Sequence, residues 1–153
     1  MTQPKIKKAT AVGINHVALE VDNIEEALTF YGTFLDFQVE SKNDTAAFIY
    51  FGDQFINFMT GRTQSPDNGR HFGIAVDDKE LVRQTLKDMG VELLALDPKF
   101  LDFLDPWGNR VEITTYRNIQ FSKTDHVLKG MGLSGLDKTE NALAELRAKN
   151  MAP

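Results

Sequence analysis

Three side chains that bind divalent metals well, two imidazoles and one carboxylate, stand at related points of the sequence. His16 and His71 each begin the pattern histidine, four residues, valine, aspartate, and they lie 55 positions apart. Glu112 lies the same 55 positions after Asn57. Two imidazoles and a carboxylate form a facial ligand set that suits iron(II) best and also fits manganese, nickel, cobalt or zinc. The open positions of such a set are where a catalytic metal holds substrate or water.

Each of these residues also has an ordinary interpretation. A single histidine is more often a surface or hydrogen-bonded structural residue than a ligand, and Glu112 by itself is equally consistent with a solvated strand residue. The third histidine, His126, lies in the C-terminal tail and is expected to be structural or solvated. The metal hypothesis depends on the matched positions of the other residues within an internal repeat.

The same offset relates the elements around these residues. A helical pattern follows Asp22 and a second one follows Asp77, and each aspartate precedes a glutamate by three positions, as in a capping box. The apolar residues of the two stripes are Ile24, Ala27, Leu28, Tyr31, Phe34 and Leu35 in the first, and Leu81, Val82, Leu86 and Met89 in the second. We therefore predict two equivalent modules, each with a strand, a helix and three further strands.

The predicted strands cover residues 14–21, 37–41, 45–51 and 54–60, and then 70–76, 91–95, 100–104 and 110–116. The predicted organisation is an N-terminal segment 1–12, a first module 13–62, a linker 63–69, a second module 70–116 and a C-terminal extension 117–153. A helix is predicted over 138–150 in the extension, capped by Asp137, after a flexible connector at 131–135.

Strand alternation places the candidate ligands on one face of each module. Apolar neighbours of His16 and His71, such as Val17 and Phe72, point toward the helices, so the two histidines point away from them. The same alternation sends Asn57 and Glu112 to the face away from the helices. If both sheets curl and pair with pseudo-twofold symmetry, this face becomes the inside of a cup that unites the four side chains.

The motifs resemble those of the vicinal-oxygen-chelate superfamily, which includes glyoxalases, bleomycin-resistance proteins and extradiol dioxygenases. The resemblance covers about residues 13–116, and it is carried by the segments around His16, around Ala27–Tyr31, around His71 and from Asp105 to Ile113. It implies an α+β fold, with paired βαβββ modules forming a cup-shaped, curved mixed sheet and a C-terminal helical tail. It also implies a homodimer, with the site either within one chain or across two.

Matched position by position, the resemblance makes His16, His71 and Glu112 the metal ligands. Asn57 departs from the pattern, because glyoxalase I-like members carry a glutamate or glutamine there and an amide cannot act as a proton-transfer base. The remaining set is more similar to extradiol dioxygenases, in which Tyr116 would supply acid–base chemistry on the same strand face as Glu112. The alternatives are a glyoxalase- or lyase-like enzyme, a fosfomycin-transferase-like enzyme, and a metal-free small-molecule-binding protein of the bleomycin-resistance kind.

Substrate contacts are expected from Phe55, Met59 and Arg110, although core packing is the default interpretation of Phe55 and Met59, as it is of Phe103 and Trp107. Arg110 is equally well interpreted as a solvated or salt-bridged strand residue. The substrate class is a small molecule with two adjacent oxygens.

Composition excludes several other classes of protein. The chain has 153 residues, no cysteine and a formal net charge of −5, so disulfides, thiolate chemistry and a basic nucleic-acid surface are not expected. No apolar run approaches the length that spans a bilayer, and no secretory signal pattern is evident. We expect a cytoplasmic protein with no membrane or nucleic-acid partner.

Overall fold

The computed structural model describes residues 9–94 and 99–152. The described part of the chain forms two four-stranded mixed sheets, each with a helix between its first and second strands, and further helical segments follow the second sheet. The strands are β1 His16–Val21, β2 Gln38–Lys42, β3 Ala46–Phe51, β4 Gln54–Thr60, β5 Phe72–Val76, β6 Leu93–Leu94, β7 Leu101–Leu104 and β8 Arg110–Thr115. The helices are α1 Ile24–Gly32, α2 Lys79–Asp88, α3 Asp125–Gly130 and α4 Glu140–Arg147, with a 3-10 turn at Tyr116–Asn118.

The predicted duplication is visible in the strand order and in the register. The sheets run β1-β4-β3-β2 and β5-β8-β7-β6, so equivalent strands occupy equivalent places. In the parallel pair of the first sheet, Ala18 lies opposite Asn57, and in that of the second sheet Gly73 lies opposite Glu112. Both pairings join residues 39 positions apart. The predicted α+β fold of paired βαβββ modules with a C-terminal helical tail is confirmed.

One continuous apolar core fills the space between the two modules. Apolar residues of both sheets and of α1 and α2 belong to a single buried cluster. Phe30 of α1 and Phe34, two residues beyond its end, contact the ring of Phe103 in β7 at centroid distances of 6.3 and 5.6 Å. Each sheet therefore buries its helix side in this shared core, and we call the opposite side of each sheet its open face.

The turn before β8 fastens the second module to the first. Asp105 is buried and accepts hydrogen bonds from the hydroxyl of Tyr31 (2.8 Å) and from the side chain of Asn109 (2.7 Å). Asn109 also donates to the backbone oxygen of Glu20 (3.0 Å) and accepts from Arg62 (2.5 Å). Gly108 in this turn has a φ of +86° and lies close to Pro66, where a Cβ would clash, so glycine is required there.

Both helix starts differ by one residue from the prediction. Asn23 caps α1 by accepting from Glu26 N at 3.0 Å, and Asp78 caps α2 by accepting from Leu81 N at 3.0 Å. A cap side chain must reach the backbone N–H three residues ahead, and this is satisfied from Asn23 and Asp78 rather than from Asp22 and Asp77. The tail helix α4 likewise begins later than predicted, with Thr139 as its cap.

The other departures concern strand ends and the tail. β8 ends at Thr115, so residue 116 is not in the strand. β6 begins at Leu93, so residues 91 and 92 of the predicted strand are not part of it, and residue 95 lies outside the described positions. Residues 1–8 of the predicted N-terminal segment also lie outside the described residues. Helix α3, which was not predicted, precedes the connector at 131–135. None of the described helices is long and apolar enough to cross a membrane.

Candidate metal centre

His71 and Glu112 form one half of the candidate site. His71 immediately precedes β5, and Glu112 lies in β8, the neighbouring strand. The Nε2 atom of His71 is 3.4 Å from Oε2 of Glu112, and its Nδ1 atom is 3.0 Å from the backbone oxygen of Gly69. A carbonyl oxygen can only accept, so Nδ1 carries a proton, and in the neutral imidazole Nε2 is then the nitrogen with the lone pair.

His16 forms the other half, on the open face of the first sheet. Its Nδ1 atom is 2.8 Å from Oδ1 of Asn15, and its ring stacks on Phe55 with centroids 4.6 Å apart. The side-chain oxygen of Asn15 accepts the Nδ1 proton, so in the neutral imidazole of His16 the lone pair is likewise on Nε2. Both imidazoles thus have the tautomer and the held ring orientation that metal-bound histidines have in proteins.

Asn57 lies beside His16 on the open face, as the alternation predicts. Its amide nitrogen is best oriented toward β3, where it donates to the backbone oxygen of Ala47 (3.3 Å) and also to that of Phe58 (3.1 Å). This orientation leaves the amide oxygen as the group available to a ligand. The position cannot supply a proton-accepting carboxylate.

The donor chemistry of the second sheet fits a cation. A lone pair on Nε2 of His71 and an oxygen of Glu112 repel each other at 3.4 Å unless a proton or a cation lies between them. A second carboxylate, Asp102, lies directly opposite Glu112 in the β7–β8 register and is 2% exposed. The charge of Asp102 is balanced by Arg110 at 3.2 Å, so the close contact of His71 with Glu112 is the feature that favours a cation.

The two half-sites lie at different ends of the paired sheets. Asn109, just before β8, binds the backbone oxygen of Glu20 near the end of β1, whereas His16 begins that strand. His16 and Glu20 are four positions apart in the strand, a length of about 13 Å at the usual strand rise. Accordingly, within residues 9–94 and 99–152 no group of three or more His, Cys, Asp or Glu side chains is arranged to hold a metal ion. A single chain brings His71 and Glu112 together but does not bring His16 to them.

The remaining predicted site residues have varied surroundings. Phe55 backs the ring of His16, and Met59 is 44% exposed on the same open face. Arg110 is largely buried and donates to Asp102 (3.2 Å) and to the backbone oxygen of Asn68 (2.6 Å). These contacts favour the salt-bridged interpretation of Arg110.

Tyr116 has contacts that anchor the tail. It is 5% exposed, and its hydroxyl accepts from the backbone N–H of Lys123 at 3.0 Å. The ammonium of Lys138 lies 3.4 Å from the centre of its ring. This placement does not support the acid–base role that was predicted for Tyr116. His126 is exposed in α3, and its Nε2 atom lies 3.3 Å from the hydroxyl of Thr124.

Sequence reasoning missed Asp102 and the aromatic character of the first open face. Asp102 stands between Leu101 and Phe103, both of which are buried in the core, so alternation alone would have placed it on the face of Glu112. On the first sheet, Phe48 and Tyr50 pack on Phe55 with centroids 5.8 and 5.3 Å apart. The hydroxyl of Tyr50 donates to Glu40, and this hydrogen bond is the main reason that the pKa of Tyr50 is raised.

Residues 13–113 match the family model of the glyoxalase/bleomycin resistance protein/dioxygenase superfamily. The chain belongs to this superfamily. No curated protein sequence matches this chain significantly.

Solved structures of superfamily proteins share its fold. A glyoxalase family protein from Bacillus anthracis is 24% identical, with a TM-score of 0.58 over 70% of this chain and 97% of its own. The fosfomycin resistance protein FosX from Listeria monocytogenes, complexed with Mn(II) and sulfate, is 15% identical, with a TM-score of 0.59 over 69% of this chain and 93% of its own. An integron cassette protein from Vibrio cholerae is 21% identical, with a TM-score of 0.56 over 72% of this chain and 99% of its own.

Proposed function

We propose that this superfamily member is a metal-dependent enzyme whose divalent cation is held by His16, His71 and Glu112. The observation that carries the proposal is that both imidazoles have Nδ1 hydrogen-bonded to an oxygen, which leaves Nε2 as the ligating nitrogen, and that Nε2 of His71 lies 3.4 Å from a carboxylate oxygen of Glu112. A cation bound there would act as a Lewis acid on two adjacent oxygens of a small substrate, or as the site of dioxygen activation. Two imidazoles with one carboxylate favour iron(II).

We propose further that each site is built across a homodimer. His16 and the His71–Glu112 pair lie on open faces at different ends of one chain. The strands that carry or adjoin them, β1 and β5, are both edge strands of their sheets. Edge strands invite pairing with another chain, and a twofold dimer would bring His16 of one protomer to His71 of its partner twice.

The first candidate reaction is dioxygen-dependent ring cleavage of an aromatic diol. The ligand set supports it, and Asn57 weighs against proton transfer of the glyoxalase I kind because an amide is no base. The aromatic side chains around His16 supply a surface on which a planar substrate can stack.

Metal binding to the whole protein tests the proposal. The protein is stripped with a chelator and titrated anaerobically with Fe²⁺ and with Mn²⁺ by calorimetry. We expect one ion per chain in the wild type, and affinity at least about 100-fold weaker in His71→Ala and Glu112→Gln, since losing a ligand removes much of the binding energy. His126→Ala is the matched histidine control and should bind like the wild type.

The reaction is tested on the iron-loaded protein with three substrate types. We expect oxygen-dependent turnover of a catechol. Turnover of the methylglyoxal–glutathione adduct, or modification of fosfomycin, would replace the dioxygenase assignment with the corresponding alternative. Wild-type protein that retains no divalent ion would contradict the metal-dependent proposal and leave a small-molecule-binding protein.

A further inference from the structure

Arg110 stands close enough to Glu112 to compete for its carboxylate. The two residues are two positions apart in β8, and the intervening Val111 is fully buried, so both side chains lie on the open face. Such neighbours on one strand face are about 7 Å apart, well within the reach of an arginine side chain. An arginine that forms a bidentate pair with a carboxylate occupies both of its oxygens and leaves none for a metal.

Asp102 prevents this competition in the structure. Its Oδ2 atom accepts from a terminal nitrogen of Arg110 at 3.2 Å, and the side chain of Asp102 is 2% exposed. Glu112 forms no ion pair with Arg110 and contacts His71 instead. Asp102 lies opposite Glu112 in the register, so it reaches Arg110 diagonally across the strands.

Burying the ion pair between Asp102 and Arg110 costs free energy of folding, which suggests that the pair serves another purpose. Asp102 Oδ1 and Arg110 Nε are both buried without a hydrogen-bond partner, and buried unsatisfied polar atoms are uncommon in native proteins. In the first module, the residue opposite Asn57 at the corresponding position is Phe48, and no charge pair is present there. The ion pair therefore belongs to the module that carries the carboxylate ligand.

We propose that Asp102 is a positioning residue that holds Arg110 away from Glu112 and so keeps the Glu112 carboxylate available to the metal. This inference rests on the proposed metal site. The role assigned to Asp102 is indirect, because it acts through Arg110 and is not itself a ligand.

The proposal predicts a rescue that a merely structural role would not give. In Asp102→Asn, Arg110 loses its anionic partner and turns to Glu112, so we expect Mn²⁺ affinity to fall at least about tenfold. In the double variant Asp102→Asn/Arg110→Gln the competing cation is absent, and we expect affinity within about threefold of the wild type. Calorimetric titration of the full-length protein with Mn²⁺ measures both, and circular dichroism verifies that each variant is folded.

The control removes a more exposed ion pair elsewhere in the chain. Glu80 pairs with Arg83 at 3.0 Å on α2, away from the open faces, and Glu80→Gln should leave Mn²⁺ binding unchanged. Wild-type affinity in Asp102→Asn, or a double variant as weak as the single one, would overturn the inference. If Asp102→Asn does not fold, the double variant, which carries no charge at these two positions, is the test. Mn²⁺ binding by the double variant that is tenfold weaker than that of the wild type would refute the proposal.

The metal site and the role of Asp102 fail in different ways. Loss of Mn²⁺ binding in His71→Ala together with an unaffected Asp102→Asn would reject only the role of Asp102. Absence of Mn²⁺ binding in the wild type would reject both.

Discussion

The ring of His16 lies flat on that of Phe55, with an angle of 10° between the planes. The two residues are register partners on neighbouring strands, so the stacking follows directly from the β1–β4 pairing. A hydrogen bond from Nδ1 to Asn15 and a ring behind the imidazole together fix the direction of Nε2. Phe55, which the sequence predicts to contact substrate, supports the ring of His16, the proposed ligand.

Replacing Phe55 by alanine should weaken metal binding without removing a ligand. A stacked aromatic pair contributes about 0.5–1.5 kcal/mol, which corresponds to roughly a two- to tenfold loss of affinity for Mn²⁺. Met59→Ala is the matched control, because Met59 lies on the same open face but makes no ring contact with His16. Equal affinities in the two variants would show that the stacking does not position His16.

Much at the residue scale could be predicted from sequence, because strand alternation is a strict rule. It assigned Asn57 and Glu112 to the faces away from the helices, and the register gives them equivalent partners, Ala18 and Gly73. It did not predict the partners of polar side chains, since these depend on contacts across strands. The carboxylate that binds Arg110 comes from β7, and the oxygen that binds His71 comes from the backbone of Gly69.

Two structural elements, helix α1 and the turn before β8, meet at the hydrogen bond from Tyr31 to Asp105. Burial is the main cause of the raised pKa of Tyr31, and the nearby Asp105 raises it further. Burial also raises the pKa of Asp105, against the lowering effect of its hydrogen bonds from Asn109, Tyr31 and Trp107. The link joins residues 74 positions apart and so ties the two modules together.

Removing only the hydroxyl of Tyr31 should destabilise the whole chain. Tyr31→Phe keeps the ring but takes a donor from a buried carboxylate, and we expect the free energy of unfolding to fall by about 1.5–3 kcal/mol. Chemical denaturation measures the change. Tyr50→Phe is the matched control, because its hydroxyl binds the exposed Glu40, and a change below about 0.5 kcal/mol is expected there.

The tail is fastened by Lys138, whose ammonium donates to the backbone oxygens of Tyr116, Ile119 and Phe121. Burial lowers the pKa of Lys138 to about 8. Since the folded state then releases this proton more readily than the unfolded chain, folding should become more favourable as pH rises from about 8 toward 10.5.

A variant isolates this effect from the other groups that titrate in the same range. As pH rises from about 8 to 10.5, we expect the unfolding free energy of the wild type to increase relative to that of Lys138→Met. Denaturation curves at several pH values measure it. A difference that is constant with pH would contradict the assignment of the titration to Lys138.

At the scale of the whole molecule, the duplicated pattern predicted paired modules, but it could not decide whether one chain completes a site. That depends on how the modules pack, and the packing is set by buried contacts such as Asn109 with Glu20. The tail was harder to predict than the modules, because helix α3 has only six residues and its sequence has no clear apolar stripe.

Subunit complementation tests whether sites are shared. His16→Ala and His71→Ala homodimers should each bind metal poorly. After the two are unfolded and refolded together, half of the dimers are mixed and each mixed dimer has one intact site, so about a quarter of all sites should bind Mn²⁺ like the wild type. No recovery would indicate that the ligands act within one chain or not at all.

The constant 39-residue spacing between paired strands has a consequence for how this chain can change in length. Residues gained or lost between Thr33 and Gln38, or between Met89 and Leu93, fall in connections and leave every side chain on its own face. Deleting a single residue of β8 before Glu112 would instead shift the following side chains to the opposite face of the sheet. Glu112 would then point into the apolar core, and an aliphatic residue would take its place on the open face. Natural relatives should therefore vary in length at those connections and keep a constant number of residues inside the strands that carry the proposed ligands.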